Sequence, residues 1–141
     1  MSDPYTAPVL PDLTKLGNPD AQVDGVLETI EMPYLHKVGE VHLHCTEFTC
    51  RCPITNQPDW AVIDIHYGPD TRIVESKSVK MYLETWRDKG VFHELLAQHL
   101  LNAFVTVLEP IWLEVIVRFN TRGGIAITAS ASWTNKEARR G

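Results

Sequence analysis

The sequence holds only three cysteines, Cys45, Cys50 and Cys52, crowded into one short stretch. A disulfide scaffold needs an even set spread along the chain, so free thiols in a reducing compartment are expected. No apolar run approaches the roughly 18–20 residues of a membrane helix. The first residues lack the basic region and apolar stretch of a secretory signal, and a cytoplasmic location is expected. Basic residues are in deficit: 13 Lys and Arg stand against 18 Asp and Glu, a net charge of −5. Mass electrostatics therefore does not favour nucleic acid, and neither a direct nucleic-acid partner nor a membrane is expected. The dinucleotide fingerprint Gly-x-Gly-x-x-Gly is missing, as are internal repeats and low-complexity segments.

What is present is enough for one folded domain. The 141 residues are 44% hydrophobic. A chain this small buries a modest share of its surface, so association with further copies would help it. Five of the nine prolines (Pro4, Pro8, Pro11, Pro19 and Pro33) fall in residues 1–37. That stretch reads as an N-terminal arm, with Val26, Leu27 and Ile30 as a short apolar anchor. Residues 38–141 are expected to form a single catalytic domain.

Hydrophobic periodicity sets the order of elements. Val41, Leu43 and Cys45 alternate with His42 and His44, as in a half-buried strand. Residues 46–60, with Pro53 and Pro58, read as a loop. Ala61, Ile63, Ile65 and Tyr67 alternate with Asp64 and His66 in a second strand. Val79, Tyr82, Leu83 and Trp86 recur at helical spacing over residues 75–88. Phe92, Leu95, Leu96, Leu100, Phe104 and Val107 do so over 92–108, and Pro110 closes that helix. Val115, Val117 and Phe119 line a third strand. Asn120-Thr121-Arg122-Gly123-Gly124 is turn chemistry, and residues 125–133 are a last strand. The order β-β-α-α-β-β predicts an α+β domain with an antiparallel four-stranded sheet and two helices on one face.

The cysteine stretch allows several chemistries. Cys52 lies in a polar loop beside the cationic Arg51, where a thiolate can be stabilised to act as a nucleophile. Asp59 lies seven residues on, within range to deliver a proton. A plain buried thiol is the competing reading. Zinc is a third, with His42, His44, Cys45, Cys50 and Cys52 as donors. Against it, the usual Cys-x₂₋₄-Cys spacing is absent and no second ligand pair appears downstream, so no metal is expected. Lys77 and Lys80 share a helical face that suits phosphate or plain solvation. Glu94, near a helix start, suits a ligand or the helix dipole.

Four motifs in register go further. The run of residues 48–60, with Cys50-Arg51-Cys52-Pro53, resembles the cysteine loop of the NADPH-dependent 7-cyano-7-deazaguanine reductases, the preQ0 nitrile reductases. Glu75-Ser76-Lys77-Ser78-Val79-Lys80-Met81-Tyr82 resembles their cofactor motif. Phe92-His93-Glu94 resembles their substrate signature, and Arg122-Gly123-Gly124-Ile125 their late glycine turn. The resemblance spans roughly residues 14–128 and fits the single-module members. It implies a tunnelling fold assembled into homo-oligomers with sites between subunits. It also implies reduction of a deazapurine nitrile to an aminomethyl group by two NADPH, on the route to queuosine.

Under that resemblance Cys52 is the nucleophile that forms a thioimide, and Asp59 is the proton donor. Glu94, His93, Glu75 and Ser76 bind substrate; Lys77, Ser78, Lys80, Arg122 and Gly123 bind cofactor. The sequence departs from the family's usual residues at Cys50 (commonly serine), Arg51, Asn56, Met81 and Asp88, none of which removes a catalytic group. The alternatives are an NADPH-independent, amidine-forming relative acting on tRNA, a pterin- or purine-handling enzyme of the same fold, and a non-catalytic purine-binding or tRNA-assembly subunit.

Overall fold

The computed structural model describes residues 13–16, 25–32 and 38–137, and the statements below concern these. The elements run β1 Thr29–Glu31, β2 Val41–Arg51, β3 Pro58–Gly68, β4 Arg72–Val74, α1 Ser76–Glu84, a 3₁₀ turn Thr85–Asp88, α2 His93–Leu108, β5 Trp112–Phe119 and β6 Thr128–Thr134. Four strands form an antiparallel sheet in the order β2-β3-β5-β6, with both helices on one face. The predicted β-β-α-α-β-β order is therefore present.

The alternation of the sequence decides which face is covered. Ala61, Ile63, Ile65 and Tyr67 of β3 and Leu113, Val115 and Val117 of β5 are buried against Leu96, Leu100, Phe104 and Leu108 of α2. Each buried Val, Leu, Ile or Phe among them contributes about 1.5–3 kcal/mol through burial. The opposite face carries His42, His44, Asp64, His66, Glu114 and Arg118 and no helix.

Two features differ from the sequence reading. First, β2 continues to Arg51 and β3 starts at Pro58, so the expected loop over 46–60 shrinks to residues 52–57. The cause is a register shift between Cys45 and Phe48. The extra residue there reverses the phase, so Phe48 and Cys50 join the core although Cys45 precedes them by odd steps. Second, β1 and β4 pair as a small separate sheet, Thr29 opposite Val74 and Glu31 opposite Arg72. Their three-residue length leaves no readable period. Of the expected arm, Leu27 is buried as an anchor, Val26 is exposed, and Glu28 pairs with the buried Lys15 at 3.1 Å. Residues 1–12, 17–24 and 33–37 of the arm lie outside the described residues.

Candidate active site

The turn after β2 presents Cys52. Cys52 N donates to Gln57 O at 2.8 Å and Asn56 N to Cys52 O at 2.9 Å, closing the turn. Asn56 supplies the left-handed residue it needs, at φ 59°, a conformation asparagine tolerates better than most side chains. The Thr55 hydroxyl and the backbone N–H groups of Thr55 and Ile54 point at the Cys52 sulfur. Helped by the Arg122 charge, they lower the thiol pKa to about 7. This is a small anion nest made by backbone amides. Cys50, two residues earlier, is fully buried. Burial first, then the negative charge of Asp59, pushes its thiol up to about 12. The surroundings thus separate the two thiols: those of Cys52 favour the thiolate, and those of Cys50 favour the neutral thiol.

Asp59 sits at the start of β3, directly opposite Cys50, with only 1% of its surface exposed. Arg122 Nη1 donates to its Oδ1 at 2.5 Å, and Arg122 Nη2 donates to Gln57 Oε1 at 3.0 Å. The guanidinium therefore ties Asp59 to the same turn that holds Cys52. His93 Nε2 lies 2.9 Å from Oδ2, but no aligned hydrogen bond forms, and among the described residues Oδ2 has no donor. A buried carboxylate oxygen without a donor is costly unless a ligand or a proton completes it. The His93 ring is fixed by stacking on Phe119, with centroids 3.7 Å apart and planes 6° apart. Cys52, Asp59, His93 and Arg122 thus converge from four separate segments.

The other expected residues lie elsewhere or are already engaged. Glu75 is buried, and its carboxylate caps α1 by accepting from Lys77 N at 2.6 Å and Ser78 N at 2.8 Å. The Ser78 hydroxyl accepts from Glu28 N at 3.0 Å and donates to Glu75 O at 2.7 Å. Both side chains therefore build the α1 start in this structure, where sequence resemblance gave Glu75 to the substrate and Ser78 to the cofactor. Arg122, expected on the cofactor, pairs with Asp59 in this structure. Gly123 takes φ 57° in the β5–β6 turn, with open space around it. Glu94 is exposed in the first turn of α2. Ser76 and Lys80 line a groove of about 620 Å³ between the β2 edge and α1, with Phe48, Val79, Leu83 and Arg87. None of the four converging residues lines that groove. Within one chain Cys52 therefore lies outside the groove beside α1.

Sequence reasoning passed over Thr55, Gln57 and Phe119. Thr55 and Gln57 sat inside the quoted cysteine loop, but a neutral side chain in a turn gives no signal until its direction is known. Phe119 reads as an ordinary core residue.

Comparisons with known proteins agree on the family. A family model described as QueF-like protein matches residues 58–138. The NADPH-dependent 7-cyano-7-deazaguanine reductase of Frankia casuarinae is 53% identical over 121 residues, 86% of this chain and 95% of the relative. The enzyme of that name from Syntrophus aciditrophicus is 42% identical over 86% of each chain. The one from Staphylococcus saprophyticus is 37% identical over 92% of this chain and 81% of its own. Among solved structures, the apo form of the archaeosine synthase QueF-Like superposes with a TM-score of 0.64 over 69% of this chain and 95% of its own. At 23% identity that likeness speaks for the fold alone. With the model match covering more than half of its length and relatives this similar, the chain belongs to the QueF-like family, alongside the NADPH-dependent 7-cyano-7-deazaguanine reductases.

Proposed function

We propose that this chain reduces the nitrile of 7-cyano-7-deazaguanine to an aminomethyl group, with Cys52 as nucleophile and NADPH as reductant, in queuosine biosynthesis in the cytoplasm. The observation that carries the reading is the pairing of an activated thiol with a buried carboxylate. A thiol held to about 7 stands on a turn tied through Arg122 to a buried carboxylate with one oxygen left without a donor.

The chain's own groups account for the bond changes. Cys52 Sγ adds to the nitrile carbon, and Asp59 Oδ2 delivers a proton to the nitrogen, giving a covalent thioimide. The proton lost by the thiol balances the one gained by nitrogen. The adduct carbon accepts hydride far more readily than the free nitrile does. Once that carbon is reduced, the C–S bond breaks and the thiolate leaves. A sulfur with a pKa near 7 is a good leaving group as well as a good nucleophile. The released imine is then reduced to the amine. His93, held by Phe119 beside Oδ2, keeps the acid's environment fixed, and the exposed Glu94 carboxylate would accept from the deazaguanine ring.

The residues present fit NADPH. The Ser76–Lys80 groove sets cationic Lys80 and Arg87 beside an apolar wall of Val79, Leu83 and Phe48, with the carboxylates of Glu47 and Glu84 also on its lining and Arg87 3.5 Å from Glu84; the two cations suit phosphates. Lys77, Lys80 and Arg87 would hold the phosphates, and the cofactor when bound supplies hydride. This groove is apart from Cys52 in one chain, which supports a homo-oligomer with sites completed between copies. The small-molecule substrate is the principal partner.

The test is turnover. Purified protein with 7-cyano-7-deazaguanine should oxidise two NADPH per aminomethyl product formed. Ammonia incorporation without NADPH oxidation would move the chain to the amidine-forming reading, and binding without chemistry to the non-catalytic one.

A further inference from the structure

Strands β2 and β3 carry a cluster of ligating side chains apart from Cys52 and Asp59, two of which, His42 and His44, also border the α1 groove. We propose that His42, His44 and Asp64 form a binding site for one divalent cation of the zinc, cobalt or nickel type. One ligand atom from each residue lies within 4.8 Å of the other two. His42 and His44 are two apart on β2 and so share a face. Asp64 stands opposite His44 in the β2–β3 ladder. The sequence offered only the neighbouring cysteines as further donors; Asp64, 20 positions from His44, joins the histidines once the strands are paired.

The orientation of the carboxylate is built. Asp64 Oδ1 lies 2.7 Å from His42 Nε2 and 2.6 Å from His44 Nδ1. Arg118 Nη1 donates to the other oxygen, Oδ2, at 2.6 Å. One oxygen is thus held from outside while the other faces both imidazoles, the arrangement by which outer partners orient metal ligands. Asp64 is 13% exposed, whereas the histidines are 54% and 56% exposed. A cation held there keeps a position open to water. His66 completes the wall but not the ligand set, because its Nε2 faces Glu40 at 3.2 Å.

Donor chemistry selects the cation. Two imidazole nitrogens and one carboxylate oxygen suit zinc and its transition-metal neighbours. Magnesium and calcium prefer oxygen alone. At metal–ligand distances of about 2.0–2.2 Å the ligand atoms must stand roughly 3.3 Å apart, so the exposed imidazoles swing outward slightly on binding. Without metal, both imidazoles hydrogen-bond to the carboxylate.

The site is separate from Cys52. Asp59 faces the helices and Asp64 the opposite side, five positions further along β3, roughly 16 Å at strand rise. A cation there would clamp edge strand β2 to β3 just before the register shift at Cys45/Phe48. Binding only to the folded state raises its stability.

The experiment uses tag-free full chain, stripped with chelator and dialysed against micromolar zinc chloride. It should retain one zinc per chain and melt at a higher temperature than stripped protein. Cobalt(II) should give visible bands of a nitrogen–oxygen site with no thiolate charge-transfer absorption. His44→Ala and Asp64→Asn should weaken binding at least as much as the about 10–100-fold that loss of an outer partner costs, and Cys52→Ala should keep it. His42→Gln, at a side chain more than half exposed, is the second ligand variant. The stripped variants' melting curves report whether the fold is intact. No zinc retained by the wild type, a thiolate band with cobalt, or undiminished binding in His44→Ala and His42→Gln would overturn the proposal.

Discussion

At the residue scale the molecule distinguishes two thiols that differ by two positions. Cys52 sits among the Thr55 hydroxyl and two backbone amides; Cys50 sits in the core facing Asp59. Alkylation by iodoacetamide should therefore rise through a midpoint near pH 7 and map to Cys52, because the lowered pKa puts the thiolate above about 7. Thr55→Val removes the largest lowering contact and should move that midpoint toward the ordinary thiol range; an unchanged midpoint would remove the nest from the account. Arg122→Ala should act on both groups at once. It strips the cation from buried Asp59, costing about 1–3 kcal/mol in a chemical melt for an unsatisfied buried group, and it should raise the thiol midpoint slightly. Turnover should fall in both variants. Little of this was legible beforehand. Cys52 and Asp59 were singled out from one short stretch, but Arg122 is 63 positions from Asp59, and no local pattern announces a contact across that span.

At the element scale the site depends on two joints. The turn over 52–57 is held from below by Gly90, where Arg51 N donates to Lys89 O at 2.9 Å and Val91 N to Arg51 O at 3.0 Å. A Cβ at position 90 would stand 2.8 Å from the Pro53 backbone, closer than any real contact of that kind. Gly90→Ala should push the turn, lowering turnover by more than its loss of melting temperature explains. Equal turnover would show that the turn tolerates displacement. The second joint is the Glu75 cap of α1. Glu75→Ala should cost about 0.5–2 kcal/mol of stability, the usual loss of a helix cap, and Glu75→Gln should recover part because the amide oxygen still accepts. A substrate-binding Glu75 would instead show full stability with weakened substrate binding. The elements themselves were readable because Val41 to Cys45, Ala61 to Tyr67 and the stripe from Leu96 to Phe104 repeat cleanly. The end of β2 was not readable, since the bulge after Cys45 resets the period, and β1 and β4 are too short to have one.

At the scale of the whole molecule, β2 and β6 leave two open sheet edges, which natural proteins pair or cover. The α1 groove stands apart from Cys52 within one chain. Sedimentation should therefore give a mass several times 16.0 kDa, and dilution that yields monomer should abolish turnover; a fully active monomer would place the entire site within one chain. The architecture was legible from the sequence because it follows from period and order. Sites completed between copies are an expectation of the family resemblance alone, because periodicity says nothing of neighbours. The account as a whole rests on Cys52 as the atom that captures the nitrile. Its most direct test is the intact mass of the protein mixed with 7-cyano-7-deazaguanine in the absence of NADPH, followed by peptide mapping. The account predicts a gain of one substrate mass per chain on the peptide carrying Cys52, kept in Cys50→Ser and lost together with turnover in Cys52→Ala. An adduct on Cys50, or normal turnover by Cys52→Ala, would contradict it.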